Sequence, residues 1–348
     1  MMLYAIPFIV SLVLSIFFWP DPNFFLSPTE VWVWNKNGGY GTRLSKTNEN
    51  PLATLNGYKT SGRFFNFENQ TFRPLKEGTI IDYPLLGKGT IEYSKIGDSV
   101  SYYSSEGEVF WTKLLNSYPR AGLFSSPLLF LSGDNNTVFL MDHNGNPIGL
   151  QKVDGRFLTD FVFCRNHKGV GLLFLGGEIY RLDESGNLIF SLQLENESFA
   201  KSIAISPNGD LMVIHKEFHS EDFLQVIDEN GKSIKEIKLS KIFPFHLSMA
   251  IADTGEILLN TPGEVLIGKE LEKSIPKKAD SVIYQATFAH SQGFVFELDQ
   301  SLMFSDTKGI VQRTKPLQDG PVRLYPGKSD NTFYLETQRD IYQFHLPL

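Results

Sequence analysis

Five segments of the chain, set under one another, share one pattern: VSYYSSEGEVFWTKLL, VFLMDHNGNPIGLQKV, IYRLDESGNLIFSLQL, LQVIDENGKSIKEIKL and LMFSDTKGIVQRTKPL. Each is a short alternating apolar run, an Asp or Ser, two residues, a glycine, and a second run. The glycines are Gly107, Gly145, Gly186, Gly231 and Gly309, and steps of 38, 41 and 45 residues separate the first four. The remaining gap of 78 residues holds two steps, with a degenerate unit at VLIGKELEKSI. Self-similarity at a period of about 40 residues marks a solenoid or a propeller.

A second glycine series runs through the same units. IAISPNGDLMVI, MAIADTGEILLN and TFAHSQGFVFEL alternate, turn at Gly209, Gly255 or Gly293, and alternate again; FVFCRNHKGVGLLFL does the same near Gly169. Each unit therefore holds two hairpins, or four short strands joined by glycine-bearing turns. Apolar spacing of the helical kind occurs only in the N-terminal segment. The prediction is an all-β chain, a β-propeller of eight four-stranded blades (seven is the alternative count), preceded by one N-terminal hydrophobic helix. The repeat units fall at 40–78, 79–117, 121–152, 157–194, 199–239, 246–275, 282–317 and 321–348. The last unit has only three strands, and EVWVWN near the start supplies a fourth beside 341–346, closing the ring and covering an edge.

The segment IYRLDESGNLIFSLQL resembles the repeat of the quinoprotein-like (PQQ-type) β-propeller superfamily, with Tyr180, Leu182, Asp183, Gly186 and Phe190 in the matching places and Trp111 in the last of them in the first repeat. The SPNGDLMVI hairpins are similar to those of NHL-type and lactonase-type propellers. The resemblance covers most of residues 99–317. It implies architecture strongly and function weakly, because one propeller fold hosts scaffolds, enzymes and lectins.

The Asp-x-x-Gly pattern also bears on metal binding. A calcium loop needs several oxygen ligands at alternate positions and a later acidic residue. Here the Asp position is filled by Ser104 in one repeat and Gly268 in another. The pattern is therefore read as a structural turn, formed by Asp142 with Gly145, Asp183 with Gly186, Asp228 with Gly231 and Asp306 with Gly309. No metal, catalytic or cofactor-binding residue is assigned. The candidates for an axial metal are Asp160, Asp253, Asp280 and Asn260, near strand ends, with calcium the cation kept open. The motif HKEFH (215–219) is read as part of an exposed inserted loop, and His167 and His290 as solvated. The aromatic residues Trp32, Trp34, Tyr40, Tyr58, Phe64 and Phe65 are read as packing between blades, with a partner surface as the alternative.

Composition narrows the partners. A net charge of -7 with no basic run argues against nucleic acid. The single cysteine, Cys164, excludes an internal disulfide and a CxxC site, and reads as a small buried hydrophobe. No G-x-S-x-G elbow or phosphate-cradling glycine loop is present. Residues 1–19, MMLYAIPFIVSLVLSIFFW, carry no charge and are long enough as a helix nearly to cross a bilayer. They are read as a signal or anchor segment, 20–30 as a linker, and 31–348 as the propeller. The location expected is extracytoplasmic, anchored through 1–19 or secreted, and periplasmic in a bacterium. The function expected is a protein-protein interaction scaffold of the cell envelope, binding partners through a loop-rich propeller face and the membrane through 1–19. The alternatives are a lactonase-like metal-dependent hydrolase or quinoprotein-like oxidoreductase with an axial site, and a glycan- or ligand-binding propeller.

Overall fold

The computed structural model describes residues 28–346 except 45–54, 95–96, 123, 125, 166–168, 245, 279–286, 291–292, 307–310, 318–322 and 330. The N-terminal helix expected over 1–19 lies outside the described residues. Among the described residues every regular element is a strand, and no helix is long and apolar enough to cross a membrane.

The strands form eight antiparallel sheets in chain order. Blade 1 (57–74) has three described strands; blades 2 (79–114), 3 (117–154), 4 (158–193), 5 (199–238), 6 (248–276) and 7 (287–316) have four each. Blade 8 takes three strands from the end of the chain, Arg323–Pro326, Thr332–Glu336 and Asp340–His345, and its fourth, Thr29–Asn35, from near the start. Tyr40–Arg43 adds a fifth strand outside that. The chain is an eight-bladed all-β propeller, which removes the seven-blade alternative.

Burial is greatest on the second strand of the blades. The second strands are covered on both faces by neighbouring blades, so VGLLF at Val170–Phe174 and ILLN at Ile257–Asn260 are buried at every position. The outermost strands are half wet, as in Val109–Leu114 and Ser233–Lys238. Cores lie between blades rather than within them: Leu129, Val138 and Leu140 of blade 3 pack with Val170, Leu172 and Phe174 of blade 4. Leu173 and Ile179, of the same blade 4, pack with Ile203, Met212 and Ile214 of blade 5. Burying each such side chain contributes about 1.5–3 kcal/mol.

At the ring joint, Trp32 to Asn35 pair with Gln343 to Asp340. Trp34 then reaches into blade 1, with ring centroids 5.5 Å from Phe65 and 5.0 Å from Phe67. Trp32, Trp34, Tyr58, Phe64 and Phe65 are buried, and only Tyr40 of the aromatic set is exposed. Lys36 Nζ locks the joint from outside the ladder, 2.7 Å from Glu336 Oε1 and 2.8 Å from the Thr337 carbonyl.

The repeated turn satisfies itself. Asp183 Oδ1 accepts the backbone N–H groups of Ser185 and Asn187 at 2.8 Å, and Gly186 N–H donates to the Asp183 carbonyl at 3.0 Å. Asp142 and Asp228 accept the equivalent N–H groups of Asn146 and Lys232. Gly186 has φ +77, and a Cβ there would lie 2.9 Å from the Ile148 carbonyl oxygen of blade 3. The turn needs glycine for its own conformation and for the approach of the next blade.

Two local expectations are corrected. HKEFH is not an inserted loop: Leu211–Phe218 and Glu221–Asp228 are paired strands of eight residues, and His219 and Ser220, at φ 49 and 62, make the tight turn between them. Two consecutive left-handed residues match the twist of a hairpin, which is why polar residues there extend the strands. His290 is not solvated but fully buried, its ring stacked on Phe304 with 5.2 Å between centroids. Cys164 is buried. Asp306 ends the strand Ser301–Asp306, and Gly309 lies outside the described residues.

Two outcomes are expected. Gly186→Ala lowers stability by about 1–2 kcal/mol, read as a lower thermal midpoint, whereas Gly263→Ala, with open space around its added methyl, leaves the midpoint unchanged. The second concerns pH. Burial, and then the Arg165 charge, push the His290 imidazole down to about 3, from an ordinary value of 6.5. The folded state thus binds this proton less readily than the unfolded chain. The stability is fully present above pH 6.5 and is lost progressively as pH falls toward 3. Urea midpoints measured from pH 7 to pH 4 are expected to fall, and His290→Phe to flatten that slope.

Candidate functional site

The first strand of each blade lies nearest the axis, so a side chain that stays solvent-accessible on it faces the central channel. Asp82 of blade 2, Arg120 of blade 3, Asp160 of blade 4 and Arg323 of blade 8 hold such positions. Two of the carboxylates do the same structural job. Asp82 Oδ2 accepts the Ala121 N–H at 2.8 Å, and Asp160 Oδ2 accepts the Ile203 N–H at 3.0 Å. Each thereby ties its own inner strand to that of the following blade. Burial raises the Asp82 pKa, against the opposing pull of the Ala121 N–H and of Arg120.

Asp160 has a second partner. His246, in the connection between blades 5 and 6, places Nε2 3.0 Å from the same Oδ2. The Asp160 side chain is 18% exposed and that of His246 54%, so a held carboxylate presents an open imidazole. The hydrogen bond that His246 donates to Asp160 raises the His246 pKa, and burial opposes it. With the Nε2 proton donated to Asp160, the lone pair of neutral His246 is on Nδ1.

A buried network positions the segment that carries His246. Asp222 Oδ2 accepts from His215 Nε2 at 2.9 Å and from the Phe243 N–H at 2.7 Å. Lys201 Nζ donates to Asp222 Oδ1 at 2.6 Å and to the Phe243 carbonyl at 2.8 Å, and pairs with Glu217 at 2.8 Å. Burial would raise the Asp222 pKa, but the hydrogen bonds from His215 and Lys201 outweigh it and hold the carboxylate low. Both backbone polar groups of Phe243 are thus fixed three residues before His246.

The same end of the ring opens into a cleft of about 480 Å³ whose lining includes Lys59, Asp82, Tyr83, Arg323 and Glu336. Glu336 accepts from Lys36 and, at 3.2 Å, from the Tyr325 hydroxyl. Burial raises the pKa of Tyr83 and of Tyr325. At the opposite end of the inner strands Arg165 of blade 4 reaches across the axis, donating to the carbonyls of Ala289 in blade 7 (3.5 Å) and Ser329 in blade 8 (3.3 Å).

Of the four metal candidates, only Asp160 belongs to this site. Asn260 is fully buried and accepts from Lys277. Asp253 accepts the Asn208 N–H at 2.9 Å in a first-to-second-strand turn, at the far end of the ring. Asp280 lies outside the described residues. Among the described residues no group of three or more His, Cys, Asp or Glu side chains is placed to hold a metal. His246, the residue that gives Asp160 its chemistry, was missed: it is a lone histidine in FPFHLSM, 86 positions from its partner.

Compared with known families, residues 116–303 match the family model described as Arylsulfotransferase (ASST). The match covers more than half of the chain, from the first strand of blade 3 to the third of blade 7, and includes both Asp160 and His246. A family named for an enzyme overturns the expectation of a non-enzymatic envelope scaffold; the hydrolase, oxidoreductase and glycan-binding alternatives are not matched either. No curated protein sequence matches. Among solved structures, BamB from Moraxella catarrhalis is 11% identical at a TM-score of 0.55, over 92% of this chain and 100% of that one. The Dos1 propeller is 12% identical at a TM-score of 0.57, over 92% and 95%. At such identities the likeness is one of fold, so the quinoprotein-like and NHL-like resemblance holds for the propeller and goes no finer. The chain belongs to the arylsulfotransferase (ASST) family.

Proposed function

We propose that the protein transfers a sulfuryl group from an aryl sulfate to a phenolic hydroxyl at the axial mouth beside His246. The observation that carries this reading is the half-exposed His246 imidazole held 3.0 Å from Asp160 within the family-matched span. A phenol is a poor nucleophile until its proton leaves. Neutral His246 takes that proton on Nδ1 as the acceptor oxygen forms its bond to sulfur, and the bond from sulfur to the donor's aryl oxygen breaks. The imidazolium then returns the proton to the departing phenolate, so the site ends as it began. Asp160 stabilises the imidazolium between these steps. Arg120 and Arg323, on inner strands of blades 3 and 8, offer cations to the sulfuryl oxygens, whose charge is spread during transfer.

The test uses 4-nitrophenyl sulfate as donor and a panel of phenols as acceptors, following release of 4-nitrophenol. His246→Ala is expected to lower kcat by about 10²-fold or more, with an unchanged far-UV spectrum. Activity requires the unprotonated imidazole, so it rises with pH through the His246 pKa. Asp160→Asn removes the charge that raises this pKa, and is expected to shift the ascending limb to lower pH while reducing kcat. Full turnover by His246→Ala, or no transfer by the wild-type protein to any phenol, would refute the reading.

A further inference from the structure

Blades 2 and 3 leave a second cleft at the opposite end of the inner strands, with a volume of about 600 Å³. That is within the range of small-molecule sites. It lies among the first-to-second-strand turns, whereas His246 sits in a fourth-to-first connection. Inner strands of four to seven residues separate the two ends by roughly 13–23 Å.

The walls of this cleft are aromatic and held in place. Gly87 of blade 2 forms a parallel bridge with Phe124 of blade 3. Gly87 has φ +126, and a Cβ there would lie 2.9 Å from the Phe124 carbonyl oxygen. Phe124 itself sits at φ 54, a conformation that bulky residues avoid, so the backbone pairing fixes the ring's position at a cost. Tyr102 stacks on Trp111 with 5.7 Å between centroids and 17° between planes. Its hydroxyl lies 2.8 Å from His143 Nδ1, and His143 Nε2 lies 3.1 Å from the Ser126 carbonyl. Burial lowers the His143 pKa, favouring the neutral ring. Nε2–H then donates to Ser126, and the single Tyr102 hydroxyl proton is shared between His143 Nδ1 and the Lys88 carbonyl 3.0 Å away. The polar atoms of the wall are thus occupied with one another, and the aromatic surface is left for a ligand. Phe110, 61% exposed on the outer strand of blade 2, extends that surface.

The charge of the lining selects among aromatic ligands. Lys88 of blade 2 and Lys328 of blade 8 line the cleft, and none of the described lining residues is acidic. Glu68 approaches Lys88 at 3.5 Å, but both side chains are exposed and the pair is weak. On a chain of net charge -7, an aromatic cleft bordered by two lysines is locally reversed in sign.

We propose that this cleft binds a small planar aromatic anion, at a site separate from His246. The inference does not depend on the sulfuryl-transfer reading. It is tested with 2-naphthalenesulfonate, titrated into the full chain and followed by calorimetry and by Trp111 fluorescence, with Trp111→Phe assigning the signal. Wild type and His246→Ala are expected to bind alike. The double variant Phe110→Ala, Lys328→Gln changes two residues of the rim, and is expected to weaken binding by about tenfold or more. The neutral analogue 2-naphthol is expected to bind more weakly than the sulfonate. Absence of binding at millimolar ligand overturns the proposal, as does equal binding by the double variant, loss of binding in His246→Ala, or equal affinity for the neutral analogue.

Discussion

A sheet that is apolar on both faces needs a neighbour on each side, and this requirement governs the molecule. The second strands of blades 4, 6 and 8 are buried at every position, and the cores are shared between successive blades. A row of such sheets would end in two bare apolar faces. Bending the row into a ring brings those faces together, and the residues at the meeting are the largest available: Trp32 and Trp34 on one side, Tyr58, Phe65 and Phe67 on the other. The aromatic richness of the N-terminal part is the chemistry of this joint.

Ring geometry also decides which polar groups meet. Inner strands from different repeats converge on the axis, so one carboxylate position can tie adjacent blades while acquiring different third partners. Asp82 and Asp160 both accept an N–H from the next inner strand, yet only Asp160 also meets an imidazole. The buried Lys201–Asp222–His215 network costs desolvation, which its hydrogen bonds offset. Its placement on Phe243 gives it a positional role: it fixes the approach of the chain to His246.

What was legible in the sequence was local. The Asp-x-x-Gly turn is visible because its hydrogen bonds run between residues two to four apart, and its recurrence reveals the blades. The Asp160–His246 pair has no such signature, since it spans 86 positions and exists only once the ring is built. HKEFHSED reads as a loop by polarity, but Lys201 and Asp222 neutralise its buried groups and the strands continue. His290 reads as solvated for the same reason, while its surroundings, Phe304 and Arg165, come from distant segments. Function was the least legible part. Propeller architecture is indifferent to chemistry, and the scaffold expectation rested on architecture.

The joint has a consequence for biosynthesis. Asn35 meets Asp340 across 305 residues. During translation Thr29–Asn35 is made some 305 residues before its inner partner strand, Asp340–His345. At cellular elongation rates the wait is on the order of tens of seconds, during which two tryptophans sit on a ribbon with one edge unclaimed. A nascent chain in this condition is a natural client for a holding chaperone. A message truncated before residue 340 would yield seven blades and an open seam, a species fitted to aggregate rather than to function at reduced strength.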